Sequence, residues 1–280
     1  MNEYMIYFDH VQFRRFYLRI CYFLRKHPAS RRRKRGPLSL SAMIRLALLI
    51  FRHNLKQQLV AGFYGIHQST VSRILSWLRP IFQLVLAAEI PATADFATYL
   101  ETLFSQSPRP RILLVDGTLV PLSQRKVNHL DYSGKHRRIG KNLQIISEVS
   151  GRLVHVGPIL PGSYHDRRAI AESGLESLLM ANPRLLVHAD RGYLGTGFIK
   201  PRKSSKHHPL SLAERLENRE IAGIRNAVER AIAHLKVLDI LKTGIRTRGA
   251  RQEEIVQQTI RVAIGLFFFK QKCLENGVSA

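Results

Sequence analysis

Apolar side chains recur along this chain with two different periods, and the change from one to the other divides it. Up to about residue 83 the spacing is helical. Residues 1–27 carry Tyr7, Val11, Phe13, Phe16, Tyr17, Ile20, Phe23 and Leu24 at loosely helical intervals, which predicts an amphipathic arm. Ile44, Leu46, Ala47 and Ile50 mark the inward face of a helix running from a Ser41 cap to about His53. Two shorter helices follow, at about 56–64 and 68–79, the second closed by Pro80. Residues 88–110, with Pro91, Pro108 and Pro110, read as a connector that holds a short helix around 94–104. From Arg111 the texture is that of strands. Ile112-Leu113-Leu114-Val115 is a continuous apolar run, as in a strand buried on both faces. Residues 142–149 and 153–159 are two more strands joined by the hairpin signal Ser150-Gly151. A helix at about 166–180, a buried strand at Leu185-Leu186-Val187 and helices at about 220–242 and 252–274 finish the chain. This order predicts an α/β class: a mixed sheet flanked by helices, preceded by a small all-α domain. The expected boundaries are an arm and linker over 1–37, a helical domain over 38–87, a connector over 88–110 and the α/β domain over 111–280.

The helical domain has the spacing of a helix-turn-helix. Ala61 is small where two helices would cross, Gly65 can take a positive φ in the turn, and Ile66, Val71 and Ile74 can seal a small core. The second helix would then enter the major groove, with Gln68, Ser69, Thr70, Ser72 and Arg73 outward for bases and phosphates. An ordinary helical hairpin would show the same pattern.

Charge sharpens this picture. The 280 residues include 44 Lys and Arg against 20 Asp and Glu, a formal net charge of +24. So large an excess implies a polyanionic partner, nucleic acid before an anionic membrane. The run Arg31-Arg32-Arg33-Lys34-Arg35, ended by Gly36-Pro37, reads as an exposed linker that touches phosphates, or as a nuclear import signal in a eukaryote. Lys135, His136, Arg137, Arg138 and Lys141 form a second basic cluster, read as DNA-contacting. Two cysteines, Cys21 and Cys273, make neither a disulfide framework nor a zinc cluster and fit a reducing cytoplasm. Asp9, Arg14, Arg15 and Arg19 interrupt the N-terminal apolar positions, so no secretory signal is expected there. The apolar stretches at 47–51 and 262–269 are too short to span a bilayer, and no membrane partner is expected.

Asp116 follows the first apolar run in Val115-Asp116-Gly117-Thr118, and Asp190 follows the later one in His188-Ala189-Asp190-Arg191-Gly192-Tyr193. Ligands in α/β sheets gather at the carboxyl ends of neighbouring strands, where two carboxylates can share a divalent cation. Each also has a plainer reading, since Asp-Gly is a turn signal and an Asp after a strand often caps a helix. On the helix from about 220, Ile221, Ile224, Val228, Ile232 and Leu235 form the apolar stripe, and Arg225, Glu229 and Lys236 share a face beside it. A helix packed by that stripe can aim Glu229 at the strand ends, with Arg225 one turn before and Lys236 two turns after. A solvated salt-bridge ladder would look alike. Asp166 is either a further metal-binding acid or a helix N-cap. His165 and His188 read as satisfied polar residues near the cleft rather than ligands.

These residues, with Tyr132-Ser133-Gly134-Lys135, Pro161-Gly162-Ser163-Tyr164-His165-Asp166 and Val228-Glu229-Arg230-Ala231 before Leu235-Lys236, lie in one order over about 111–245. That ordered set resembles the DDE transposases of the insertion-sequence-five group and their PIF/Harbinger relatives. Single motifs are weak; their conjunction is specific. The resemblance implies a ribonuclease H-like catalytic domain and a triad of Asp116, Asp190 and Glu229 that holds two Mg²⁺ (or Mn²⁺) ions. It implies that Arg225 and Lys236 hold phosphates near the scissile bond. Partners implied are double-stranded DNA, as terminal repeats and as target, and a second copy of the chain in a dimer or larger assembly. A bacterial chain of this kind acts at the nucleoid in the cytoplasm, a eukaryotic one in the nucleus. Two other readings stay open: a DNA-binding regulator whose α/β domain is an inactive remnant, and a ribonuclease H-like nuclease of host origin.

Overall fold

The computed structural model describes residues 5–31, 37–105, 109–123, 128–205, 209–247 and 251–277. Two compact units result, one from Met1–Ile90 with Leu235–Ala280, the other from Pro91–His234. In chain order the elements begin with α1 (His10–Lys26), α2 (Leu40–His53), α3 (Gln57–Phe63), α4 (Gln68–Leu86) and α5 (Thr93–Ser105). Strands β1 (Arg111–Pro121), β2 (Tyr132–Ser133), β3 (Arg138–Glu148), β4 (Leu153–Val156) and β5 (Leu160–Pro161) follow. Then come α6 (Asp166–Glu172), α7 (Leu175–Met180), β6 (Leu185–His188), α8 (Leu212–Leu235) and α9 (Gln252–Glu275).

In the first unit, the N-terminal segment is a packed helix rather than an arm. Asp9 opens α1 with a capping box: Gln12 N–H donates to Asp9 Oδ1 at 2.8 Å and Asp9 N–H to Gln12 Oε1 at 3.3 Å. Phe13, Phe16, Ile20 and Leu24 are buried, and the Phe16 ring meets Phe82 of α4 at 5.0 Å and Phe269 of α9 at 5.6 Å. Burying such a ring is worth about 1.5–3 kcal/mol, which a solvated arm would forfeit. The cap of α2 is Ser39, which accepts from Ala42 N–H, not Ser41. The inward face of α2 is also wider than expected, because Leu46 through Phe51 are all buried. Pro80 does not close α4, which continues to Leu86. The proline removes one helical hydrogen bond, but Ser76, whose carbonyl loses it, is exposed and water can serve. Burial of Ile81, Phe82 and Leu86 beyond the proline offsets the rest.

The expected α/β domain over 111–280 needs correction at its C-terminal end. Asn54 ends α2 in the left-handed region, and its Nδ2 donates to Thr243 Oγ1 at 2.7 Å and Gly244 O at 2.9 Å. Arg246 returns a bond to Asn54 O at 2.6 Å. These clasps bring the chain after α8 onto the N-terminal helices. Helix α9 then lies against α4 so closely that a Cβ at Gly265 would stand 2.7 Å from Leu86 Cβ. Hydrophobic periodicity shows that α9 has an inward face, but not which partner receives it.

In the second unit the sheet order is β2-β3-β1-β6, with β4 and β5 also paired to β3. Strand β1 runs antiparallel to β3 and parallel to β6, the mixed sheet expected. The β3–β4 hairpin turns at Gly151, φ +87°. The predicted helix at 166–180 is two, because Gly174 takes φ +70° between α6 and α7. The predicted connector is also part of this fold: Phe96, Leu100 and Phe104 of α5 share one apolar core with Leu113, Val115, Ile146 and Val187. Three large apolar residues at helical spacing had more to gain by covering the sheet than by crossing solvent. The stretch Gln68–Ser105 is long and apolar enough to cross a membrane by length and composition alone, yet its apolar residues Val71, Ile74, Leu78, Phe82, Phe96 and Leu100 are buried in protein.

Candidate active site

The parallel pairing of β1 with β6 sets the site. Its last pair is Leu114 with His188, and Asp116 and Asp190 each stand two residues beyond it. Asp116 does not follow the strand as expected. It lies within β1, which runs on to Pro121 and pairs Asp116 with Ile145 of β3. What ends at this point is β6, so β1 loses its parallel neighbour and the chain of Asp190 diverges beside it. Asp116 Oδ1 accepts from Gly117 N–H at 2.8 Å, and Asp190 Oδ1 accepts from Gly192 N–H at 2.7 Å.

Asp166 joins them. His165, not Asp166, is the N-cap of α6, which removes the capping explanation. Asp166 is 5% exposed and its Oδ2 accepts from Lys135 Nζ at 2.8 Å. The two glycines are where the acids crowd. A Cβ on Gly117 would lie 2.2 Å from Asp166 Oδ1, and one on Gly192 would lie 2.6 Å from Asp166 Oδ2 and 2.8 Å from Asp190 Oδ1. Burial and the charge of Asp190 push the Asp116 carboxyl up to about 6, with Asp166 adding to the rise and Arg225 and the Gly117 N–H opposing it. Lys135 Nζ is also 3.9 Å from Asp190 Oδ2. Burial works against the Lys135 charge, but the bond to Asp166 and the three acids outweigh it and raise its pKa.

A buried polar chain lies in the same sheet. Tyr193 OH donates to Gln144 Oε1 at 2.7 Å, Gln144 Nε2 to Asn142 Oδ1 at 2.9 Å, and Asn142 Nδ2 to Tyr164 O at 2.9 Å. Burial, with the charges of Asp166, Asp116 and Asp190, holds the Tyr193 hydroxyl protonated well above its ordinary range. His165 is satisfied, accepting from Arg168 N–H at 3.4 Å. His188 is not: its Nδ1 is buried with no hydrogen bond, and burial lowers its pKa.

Helix α8 buries Ile221, Ala227, Val228 and Ala231. Arg225 on the adjoining face reaches Asp116, its Nη2 4.0 Å from Oδ2. Glu229 is one turn further along and exposed. The structure therefore brings together Asp116, Asp190, Asp166, Lys135 and Arg225, while Glu229 is not among the residues shown in contact with that group. Among the described residues no three or more His, Cys, Asp or Glu side chains are arranged to hold a metal ion. The donors still fit a hard divalent cation. They are carboxylate oxygens whose burial and mutual repulsion raise the pKa of Asp116, and a bound cation would offset both. Helix α8 ends at Leu235, earlier than predicted, so Lys236 is the first residue past it. Lys141 also departs from expectation. It is buried, its Nζ 2.9 Å from Asp131 Oδ1, and so belongs to the interior, not to a DNA-contacting surface.

In the helix-turn-helix, Gly65 at φ +60° closes α3 with a Schellman motif. Ile66 N–H donates to Ala61 O at 3.0 Å and Gly65 N–H to Gly62 O at 3.3 Å. Val71 and Ile74 are fully buried and Ala61 sits at the crossing. On α4, Gln68 and Arg73 are exposed and Ser69, Thr70 and Ser72 half-buried. Gln68 Nε2 donates to Gln57 Oε1 at 2.7 Å, and Arg73 Nε donates to Ser69 O at 3.2 Å. Arg31, the first residue of the basic run, donates to Leu24 O at 2.9 Å and Arg25 O at 3.5 Å, closing α1. Arg32, Arg33, Lys34 and Arg35 lie outside the described residues.

Comparison with known proteins agrees with this picture. A family model described as DDE superfamily endonuclease matches residues 115–267, and one described as the helix-turn-helix of DDE superfamily endonuclease matches residues 36–87. A transposase ascribed to insertion sequence element IS112 of Streptomyces albus G is 29% identical over 228 residues, covering 78% of each chain. The crystal structure of a pre-cleavage Mos1 transpososome aligns with 89% of this chain and 82% of that one at 12% identity. Its TM-score is 0.21, too loose a likeness for comparing sites.

Proposed function

The chain belongs to the DDE superfamily of endonucleases, as a transposase with an N-terminal helix-turn-helix, and from that membership we propose that it cuts DNA at the ends of its own element and joins them to target DNA. The observation that carries this is the placement of Asp116 and Asp190, each two residues past the last parallel pair of β1 and β6. Asp116 and Asp190, with Glu229 as the third triad member, would hold magnesium or manganese, which when bound would supply Lewis-acid activation of the attacking oxygen and charge stabilisation of the leaving one. Arg225 opposes the rise of the Asp116 pKa and presents a cation to the phosphodiester. Hydrolysis of that bond leaves a 3′-hydroxyl, which then displaces a phosphate oxygen of the target strand. Both are phosphoryl transfers, so one set of residues serves both. Lys236 contributes charge to the DNA backbone rather than to the acids. Gln68, Ser69, Thr70, Ser72 and Arg73 read bases and phosphates of the element's terminal repeats, with Arg31, Arg32, Arg33, Lys34 and Arg35 adding sequence-independent attraction. Joining two ends calls for two copies of the chain on DNA.

The test uses a supercoiled plasmid that carries the gene with its flanking DNA. Asp116→Asn, Asp190→Asn and Glu229→Gln should each abolish end cleavage in Mg²⁺ or Mn²⁺ while leaving DNA binding intact. Cleavage at the wild-type rate by any of them removes that residue from the triad.

A further inference from the structure

Lys135 holds a position that neither the triad nor the phosphate contacts explain. Its ammonium is 2.8 Å from Asp166 Oδ2 and 3.9 Å from Asp190 Oδ2. The lysine therefore sits among the acids as a monovalent cation, in the place a divalent ion would neutralise. The two partners differ in freedom. The Asp166 side chain is 7% exposed, whereas that of Lys135 is 55% exposed. Gly117 and Gly192 press on the Asp166 carboxylate so closely that neither tolerates a Cβ. The acid is fixed and the lysine is not. Lys135 stands on the turn between β2 and β3, where Arg137 takes φ +49°, at the end of a flexible four-carbon stem. Lys135 and Asp166 themselves line a small open cleft, with Ser133, His136, Ser163 and Tyr164 among its other walls.

We propose that Lys135 is a built-in placeholder cation: its ammonium neutralises Asp166 and Asp190 while the acid site is empty, and a divalent ion must displace it to bind. This rests on the reading of Asp116 and Asp190 as metal ligands, and it adds Asp166 to the same cation site. Two cations cannot share the cluster, because each repels the other where burial limits screening. The lysine thus lowers the affinity of the free protein for metal and prevents the three acids from forcing the empty site apart. Displaced from Asp166, the ammonium turns outward to solvent, to which its side chain is already 55% exposed.

Titration calorimetry with Mn²⁺ on the full chain without DNA tests this. Lys135→Met should bind Mn²⁺ about tenfold more tightly than wild type, equivalent to about 1.4 kcal/mol. The same variant should melt at a lower temperature than wild type in chelator and recover when Mn²⁺ is added. Lys135→Arg, which keeps the charge, should stay close to wild type in both measurements, and it supplies a folded comparison if the methionine variant is hard to obtain. Equal Mn²⁺ affinity in wild type and Lys135→Met overturns the placeholder role alone. Weaker binding in Lys135→Met overturns it in favour of a lysine that assists the metal. Absence of Mn²⁺ binding to either form overturns the reading of the acids as a metal site, and the placeholder with it.

Discussion

Replacing Asp116 by Asn should stabilise the metal-free protein while it destroys activity. The native carboxyl is pushed from 3.8 to about 6 by burial and by Asp190 and Asp166. A group whose folded pKa lies above its unfolded value takes up a proton on folding between those two pH values. Stability is therefore fully present below pH 4 and declines as pH rises through 6. Each unit is worth about 1.36 kcal/mol, so wild type forgoes about 3 kcal/mol at pH 8 and about 0.5 kcal/mol at pH 4. The side chain is only 16% exposed, so solvent screening trims this little. Asn keeps the shape and the acceptor for Gly117 N–H but cannot ionise. In urea with chelator, the Asp116→Asn midpoint at pH 8 should exceed that of wild type by about 1 M, taking a slope of about 2–3 kcal/mol/M. At pH 4 the two curves should nearly coincide. Excess Mn²⁺ at pH 8 should narrow the gap, since the native acid gains a ligand that the amide holds less well. Equal or lower stability of Asp116→Asn at pH 8 would refute the claim that the acids repel one another in the folded state.

Three further outcomes are expected. Gly192→Ala should cost about 1–3 kcal/mol in a melt and more than tenfold in end cleavage, because its Cβ meets Asp166 and Asp190 at 2.6 and 2.8 Å; unchanged cleavage would show that the carboxylate positions do not matter. His155 is buried against Phe96, with burial lowering its pKa to about 4, so the neutral ring's stability is present above pH 6.5 and falls by up to about 3 kcal/mol toward pH 4. His155→Leu should lack that loss in denaturant curves at pH 4.5 and 7.5, and an identical acid slope would exclude the histidine as its source. Arg73→Ala should relax base preference by about 1–3 kcal/mol at fixed salt, while neutralising Arg31–Arg35 should weaken binding to all sequences and flatten its salt dependence; the reverse pattern in a binding selection would exchange their roles.

Local features were legible in the sequence, and features that depend on distant packing were not. The apolar runs around Leu114 and Val187 named two buried strands, and the aspartates near their ends followed from them. Nothing local shows that β1 continues through Asp116, because its pairing is with Ile145, far along the chain. Pro80 was a fair stop signal, overruled by burial on both sides of it. Gly117 looked like a turn residue, when what it does, with Gly192, is admit the carboxylate of Asp166. Lys135 and Lys141 looked equivalent in a basic cluster, yet one faces three acids and the other is buried with Asp131. Only the pleat and register of β3 and its flanking turn tell them apart.

The return of α9 to α4 has a consequence for synthesis. A ribosome makes α1 through α4 first, but the face of α4 that α9 covers stays bare until the final stretch of the chain emerges. The helix-turn-helix therefore completes its packing after the second unit, although it precedes that unit in the sequence. A product truncated before residue 252 would lack that cover.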